Sequence, residues 1–193
     1  MIIGAGGDAA HDGLPVLIVT GLKQEARIAA GPGLTVICSS SNPVQLREMM
    51  TSFDPASIRG IVSFGVAGGL NPVLRSGDVV VASEILAGEK RWSTAAALTE
   101  NLVALPTRRR RQIVAGVLAG VEEVVTGQVA KAALRATTGA DAVDMESHIA
   151  ARYAEHYGLP FAAVRVISDP AHRALPELTM NAIKPNGNVD MWK

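Results

Sequence analysis

Residues 144–170 read DMESHIAARYAEHYGLPFAAVRVISDP, and this stretch decides the fold. Met145, Ile149, Tyr153 and Tyr157 recur every four residues, which places them along one face of a helix. Asp144 stands where a helix N-cap is expected, and Gly158 and Pro160 stop the helix three turns later. Phe161–Ile167 (FAAVRVI) then runs continuously apolar apart from one arginine, as a strand covered on both faces does. Ser168 and Asp169 close that strand, and Pro170 prevents its continuation.

The same alternation extends outward. Val16–Thr20, Leu34–Cys38, Gly60–Phe64, Val79–Ala82, Ile113–Leu118 and Ala140–Val143 are further short apolar runs that read as buried strands. Asn42 before Pro43 predicts a second helix start, since a proline at the first helical position loses no bond. Gln128–Thr137 predicts another helix. Strands alternating with helices predict an α/β fold, a three-layer αβα sandwich around a central twisted mixed sheet. No linker or repeat divides the chain, so residues 1–193 are read as one domain.

Composition narrows the function. The chain is 48% hydrophobic, enough for a sizeable core. Its 18 basic residues balance 18 acidic ones, and only 4% of residues are aromatic, which argues against a nucleic-acid partner. Cys38 is the only cysteine, so no internal disulfide forms. With neither a leader nor a spanning apolar run, the reading is a cytoplasmic protein. The basic run Arg108–Arg111 reads as a solvated loop, with contact to an anionic membrane surface as the alternative.

Ligands of open α/β sheets gather beyond the carboxyl ends of the strands. Asp169 holds such a position, where a partly buried carboxyl can retain a proton and donate it to a leaving group; a turn cap is the competing reading. Glu146, read in the first turn of its helix, can accept hydrogen bonds from vicinal sugar hydroxyls, with Met145 against the sugar face. His148 reads as a packed histidine, since no second metal-ligand spacing accompanies it and no metal site is expected. Ser63–Leu70 (SFGVAGGL) reads as a strand giving way to a small-residue turn whose backbone can approach a ligand. Glu25 and Arg27, after the first strand, orient a nucleophile or anion, or else form a surface turn. Gly4–Ala9 spells a dinucleotide fingerprint but lacks a preceding strand and a following helix.

Taken in order, Gly65–Leu70 with Gly77–Val81, Val143–Ser147 and Pro160–Asp169 resemble the nucleoside phosphorylase family that includes methylthioadenosine/S-adenosylhomocysteine nucleosidase. Ala142–His148 and Ser168–Pro176 are most similar to its hopanoid-biosynthesis branch, associated with removing adenine from adenosylhopane. The resemblance implies cleavage of the N-glycosidic bond of a 5′-substituted adenosine, by phosphorolysis, with phosphate as co-substrate and no other cofactor. It implies Asp169 as purine acid, Glu25 as the catalytic glutamate, and Met145 and Glu146 at the ribose. Ser168, Val124, Val125 and Gly68 are implied at the base. Arg27, Ser39, Ser40, Ser41, Gly65 and Val66 are implied at the phosphate or water. The partner is then a small adenine nucleoside, in the hopanoid branch a lipid-linked one, and the protein a homodimer or higher homo-oligomer.

The sequence also departs from these relatives. Val66 stands where the nucleosidases carry serine, and Ser63 where hexameric phosphorylases carry a phosphate-binding arginine. No aromatic residue stands near Val124 to stack on a base, and relatives continue with another helix beyond Asp190–Lys193. Hydrolysis of the nucleosidase type and a non-catalytic nucleoside-binding module are the alternatives. Trp92, Met49 and Met50 are read either as an apolar entrance for a 5′ substituent, a lipid tail or a methylthio group, or as ordinary core packing.

Overall fold

The computed structural model describes residues 13–104 and 111–174. The Gly4–Ala9 fingerprint, Arg108–Arg110 and the chain beyond Ala174 lie outside the described residues. In order, the elements are β1 (Val16–Thr20), α1 (Lys23–Ala29), β2 (Leu34–Cys38), α2 (Pro43–Thr51), β3 (Gly60–Gly69), β4 (Val79–Ala87), β5 (Lys90–Ser93), α3 (Ala96–Val103), β6 (Ile113–Gly120), α4 (Gln128–Thr138), β7 (Ala142–Asp144), α5 (Ser147–Tyr157) and β8 (Phe161–Asp169).

The sheet is mixed and its helices flank it, as the alternation predicts. β1 lies parallel between β2 and β3, and β8 lies between β3 (parallel) and β4 (antiparallel). β4 pairs with β6, and β6 with β7, both parallel. β7 returns antiparallel to the end of β3, at Gly68 and Gly69. Strands β3, β8, β4, β6 and β7 therefore close into a ring, and β1–β2 and β5 extend it.

Alternation along the strands separates two cores. Leu118 and Ala142 face the larger one, with Leu46 and Met50 of α2 and Ile149 and Tyr153 of α5. Their neighbours Ala119 and Val143 face the other, against Leu134 of α4. Asn42 Oδ1 accepts from the Val44 and Gln45 amides at 3.0 and 3.1 Å, and so caps α2. Gly158 ends α5 at φ 66°, a left-handed value that a residue with a Cβ resists. No helix among the described residues is long and apolar enough to cross a membrane.

Three readings of local structure change. The Ser63–Leu70 segment stays in β3 as far as Gly69, because β8 and β7 supply partners for its backbone. Residues 23–29 form a helix, not a surface turn. The helix expected from Met145 begins at Ser147; Asp144 ends β7, and Glu146 is the N-cap residue.

Candidate active site

β8 delivers Asp169 through a bulge. Ile167 pairs with Ala67 and Asp169 with Gly68, which leaves Ser168 as the extra residue. Strict alternation would put Asp169 on the face of Ile167, in the apolar core. The bulge instead turns Ser168 and Asp169 into a cavity of about 230 Å³ at the strand ends.

Of the residues nominated from sequence, Glu25, Ser41, Val66, Gly68, Val124, Val125, Met145, Glu146, Ser168 and Asp169 line this cavity. Four nominated for the anion do not. Arg27 is exposed on α1, whose inward position is taken by Glu25. Ser39 is wholly buried, with its Oγ 3.4 Å from the Thr20 carbonyl. Ser40 does not reach the wall, and Gly65 lies behind it. Trp92 and Met50 belong to the larger core, and Trp92 Nε1 donates to Glu155 at 2.8 Å, so neither lines this entrance. Met49 is likewise absent from the wall.

Glu25 is anchored by three backbone amides. Its Oε2 accepts from Gly21 and Leu22 at 3.0 and 2.8 Å, and its Oε1 from Val66 at 2.8 Å. Glu146 approaches over Gly21: a Cβ there would stand 2.6 Å from Glu146 Oε1. Burial pushes the Glu146 carboxyl up to about 7, against the pull of the Arg165 guanidinium and with the push of Asp144 and Glu25. Burial, not the helix dipole alone, therefore governs its charge.

Arg165 is the residue of the site that sequence reading missed. It is wholly buried on β8. Its Nε donates to Asp144 Oδ2 at 2.5 Å, and its Nη2 to Ser63 Oγ at 2.6 Å and Ser147 Oγ at 3.1 Å. Its Nη1 is buried without a partner. Burial opposes this charge, yet Asp144, Glu146 and Glu25 outweigh it and hold the guanidinium above its ordinary value. The signal was present: a lone arginine inside an apolar strand has to be paired. Nη1 and Glu25 Oε1 both come within 2.7 Å of the point that a Gly65 Cβ would occupy.

Asp169 differs from expectation in its surroundings. Its carboxyl does not face apolar residues alone, because Oδ2 meets the ammonium of Lys131, a wholly buried residue of α4. Sequence reading placed no role on Lys131, since one lysine in a helix ordinarily faces solvent. The loop after β6 completes the pocket with Val121, Val124 and Val125. Glu122 in that loop pairs with Arg47 of α2, and with His148 Nε2 of α5 at 3.0 Å. The hydrogen bond from Arg47 keeps the Glu122 carboxyl below its usual value. His148 is packed, as its sequence context predicts.

The profile of the phosphorylase superfamily matches residues 13–188. The chain belongs to the phosphorylase superfamily. Solved structures agree in fold. The methylthioadenosine/S-adenosylhomocysteine nucleosidase of Campylobacter jejuni aligns at 18% identity with a TM-score of 0.70, over 91% of this chain and 93% of that one. That of Colwellia psychrerythraea, in complex with adenine, aligns at 18% identity and 0.72, over 83% and 84%. The futalosine hydrolase of Helicobacter pylori aligns at 21% identity and 0.69, over 82% and 89%. Within this superfamily fold, the pocket is lined by the carboxylates of Glu25, Asp144, Glu146 and Asp169 and by five valines.

Proposed function

We propose that this chain cleaves the N-glycosidic bond of an adenine nucleoside, with Asp169 at the base and Glu146 and Met145 at the ribose. The carrying observation is the convergence of Glu25, Glu146 and Asp169, from three separate elements, on one pocket at the strand ends. An ionised Glu146 accepts from the ribose hydroxyls, and Asp169 passes a proton to N7 as the bond breaks. Ser168, Gly68, Val124 and Val125 enclose the base. Positioning and dispersal of charge supply the catalysis, so the reading requires no metal or organic cofactor. The names of the similar structures, two adenosine-type nucleosidases and a futalosine hydrolase, support a nucleoside substrate.

For the nucleophile, the pocket wall favours water over the phosphate expected from sequence. Glu25, Asp144, Glu146 and Asp169 line it, and no basic side chain does so among the described residues. A phosphate dianion there would meet like charge, whereas a water beside Glu25 can be oriented for attack on C1′. The remaining valines of the wall, Val66, Val121 and Val143, suit an apolar 5′ group, from a methylthio group to the lipid of adenosylhopane. The reading includes a homo-oligomer, at least a dimer, which sedimentation equilibrium measures.

Release of adenine from methylthioadenosine and adenosylhopane, and of hypoxanthine from inosine, with and without phosphate, tests the proposal. The expected result is release from the adenine nucleosides without phosphate, yielding the free sugar, and loss of about 100-fold or more in Asp169→Asn. The corresponding sugar-1-phosphate, formed only with phosphate, would restore phosphorolysis, and a fully active Asp169→Asn would remove Asp169 from the chemistry.

A further inference from the structure

Lys131 is buried to its end and does not line the pocket. Its Nζ meets Asp169 Oδ2 and three backbone carbonyls, those of Asp169 at 3.3 Å, Pro170 at 3.2 Å and Arg173 at 2.9 Å. Every partner is an acceptor, which suits an ammonium with three protons. A cation out of water is costly unless it is paired, and among the described residues Asp169 is its only carboxylate. Asp169 Oδ1 in turn meets the Ser168 hydroxyl. The nominated acid thus rests as an acceptor on both oxygens, with a proton reservoir directly behind it.

Resting on the nucleoside-cleaving reading above, we propose that Lys131 is a positioning residue that acts through Asp169 and supplies the proton the departing base receives. As the C1′–N9 bond breaks, its electron pair passes to the purine. Lys131 Nζ first gives a proton to Asp169 Oδ2, and Asp169 then gives a proton to N7 as the base departs. The ammonium becomes a neutral amine, the carboxylate ends unchanged, adenine leaves neutral, and the positive charge resides on the ribosyl cation. Water adding at C1′ releases a proton, which returns to Lys131 by way of Asp169. The pull of three carbonyls fixes the amine against Asp169 and couples it to the turn that follows β8.

The test compares two leaving groups in wild type, Lys131→Met and Lys131→Gln. Adenine needs a proton to leave, whereas the nitrophenolate of a 4-nitrophenyl riboside does not. Both variants are expected to lose about 100-fold in kcat for adenine release, with KM little changed, and to keep the wild-type rate on the nitrophenyl riboside. Equal losses on both substrates, or no loss on adenine release, would overturn the inference. Should a buried, unpaired Asp169 prevent folding of the single variants, the double variant Lys131→Met with Asp169→Asn removes both charges. It is expected to release adenine no more slowly than Asp169→Asn alone, and a further loss would show that Lys131 does not act through Asp169. A wild type inactive on every nucleoside would remove the proposed function and this inference together. An active wild type with unaffected variants removes this inference only.

Discussion

In its proposed role Glu146 must be ionised to accept from two hydroxyls, yet burial lifts its carboxyl from the ordinary 4.5 to about 7. The sign of the consequence follows from which state binds the proton. Between pH 4.5 and 7 the folded protein holds a proton that the unfolded chain has released, so stability falls as pH rises through that window. Above it the full cost applies, of the order of 3 kcal/mol. Glu146→Gln is therefore expected to unfold at a higher temperature than wild type at pH 8 and at a similar one at pH 4. Activity runs the other way: kcat/KM for adenine release should rise with pH through about 7 in wild type, and stay low and flat in Glu146→Gln. Calorimetry at the two pH values, with a pH–rate profile, checks both, and a profile flat across neutrality would show Glu146 ionised throughout.

Strand β3 owes its use of glycine to what crosses it. Gly65→Ala would place a Cβ 2.7 Å from both Glu25 Oε1 and Arg165 Nη1, on side chains already held by other bonds. Neither yields without losing hydrogen bonds, so a destabilisation of about 1–3 kcal/mol is expected, together with loss of adenine release. Denaturant unfolding and the release assay measure the two, and wild-type values in both would place Glu25 elsewhere. The same glycines explain what was legible in the sequence. The apolar runs were readable as strands because sheets covered on both faces carry continuous apolar sequence. The end of β3 was not, since glycine also signals a turn and only its pairing with β7 and β8 decides between them. β5 was missed because Lys90 and Arg91 lie on an edge strand that pairs with β4 alone. Asp169, Glu146 and Met145 were readable as pocket residues from their places at element ends. Lys131 and Arg165 were not, because their meaning lies in carboxylates that fall beside them only on folding.

At the scale of the molecule, site and fold share one charged network. Arg165 of β8 joins Asp144 of β7, Ser147 of α5 and Ser63 of β3, so the guanidinium beside Glu146 also ties four elements together. Removing one member leaves buried charge uncompensated, and Arg165→Met is expected to lose about 3–5 kcal/mol of stability. Asp169 lies outside that network but pairs the buried Lys131, so its replacement by Asn is also expected to lower the melting temperature. Ligand linkage separates the two roles. Adenine at about 100 times its Kd should stabilise the wild type by roughly 2.7 kcal/mol, or about 5–11 °C in a protein of this size. Measured against its own ligand-free melting temperature, Asp169→Asn should show a much smaller adenine shift, because the carboxylate proposed to meet the base is gone. Arg165→Met should lose melting temperature first, with the adenine shift reduced only as far as Glu146 is displaced. Adenine shifts of equal size in wild type and Asp169→Asn would place the base away from Asp169, and the orientation of the nucleoside in the pocket would then have to be reversed.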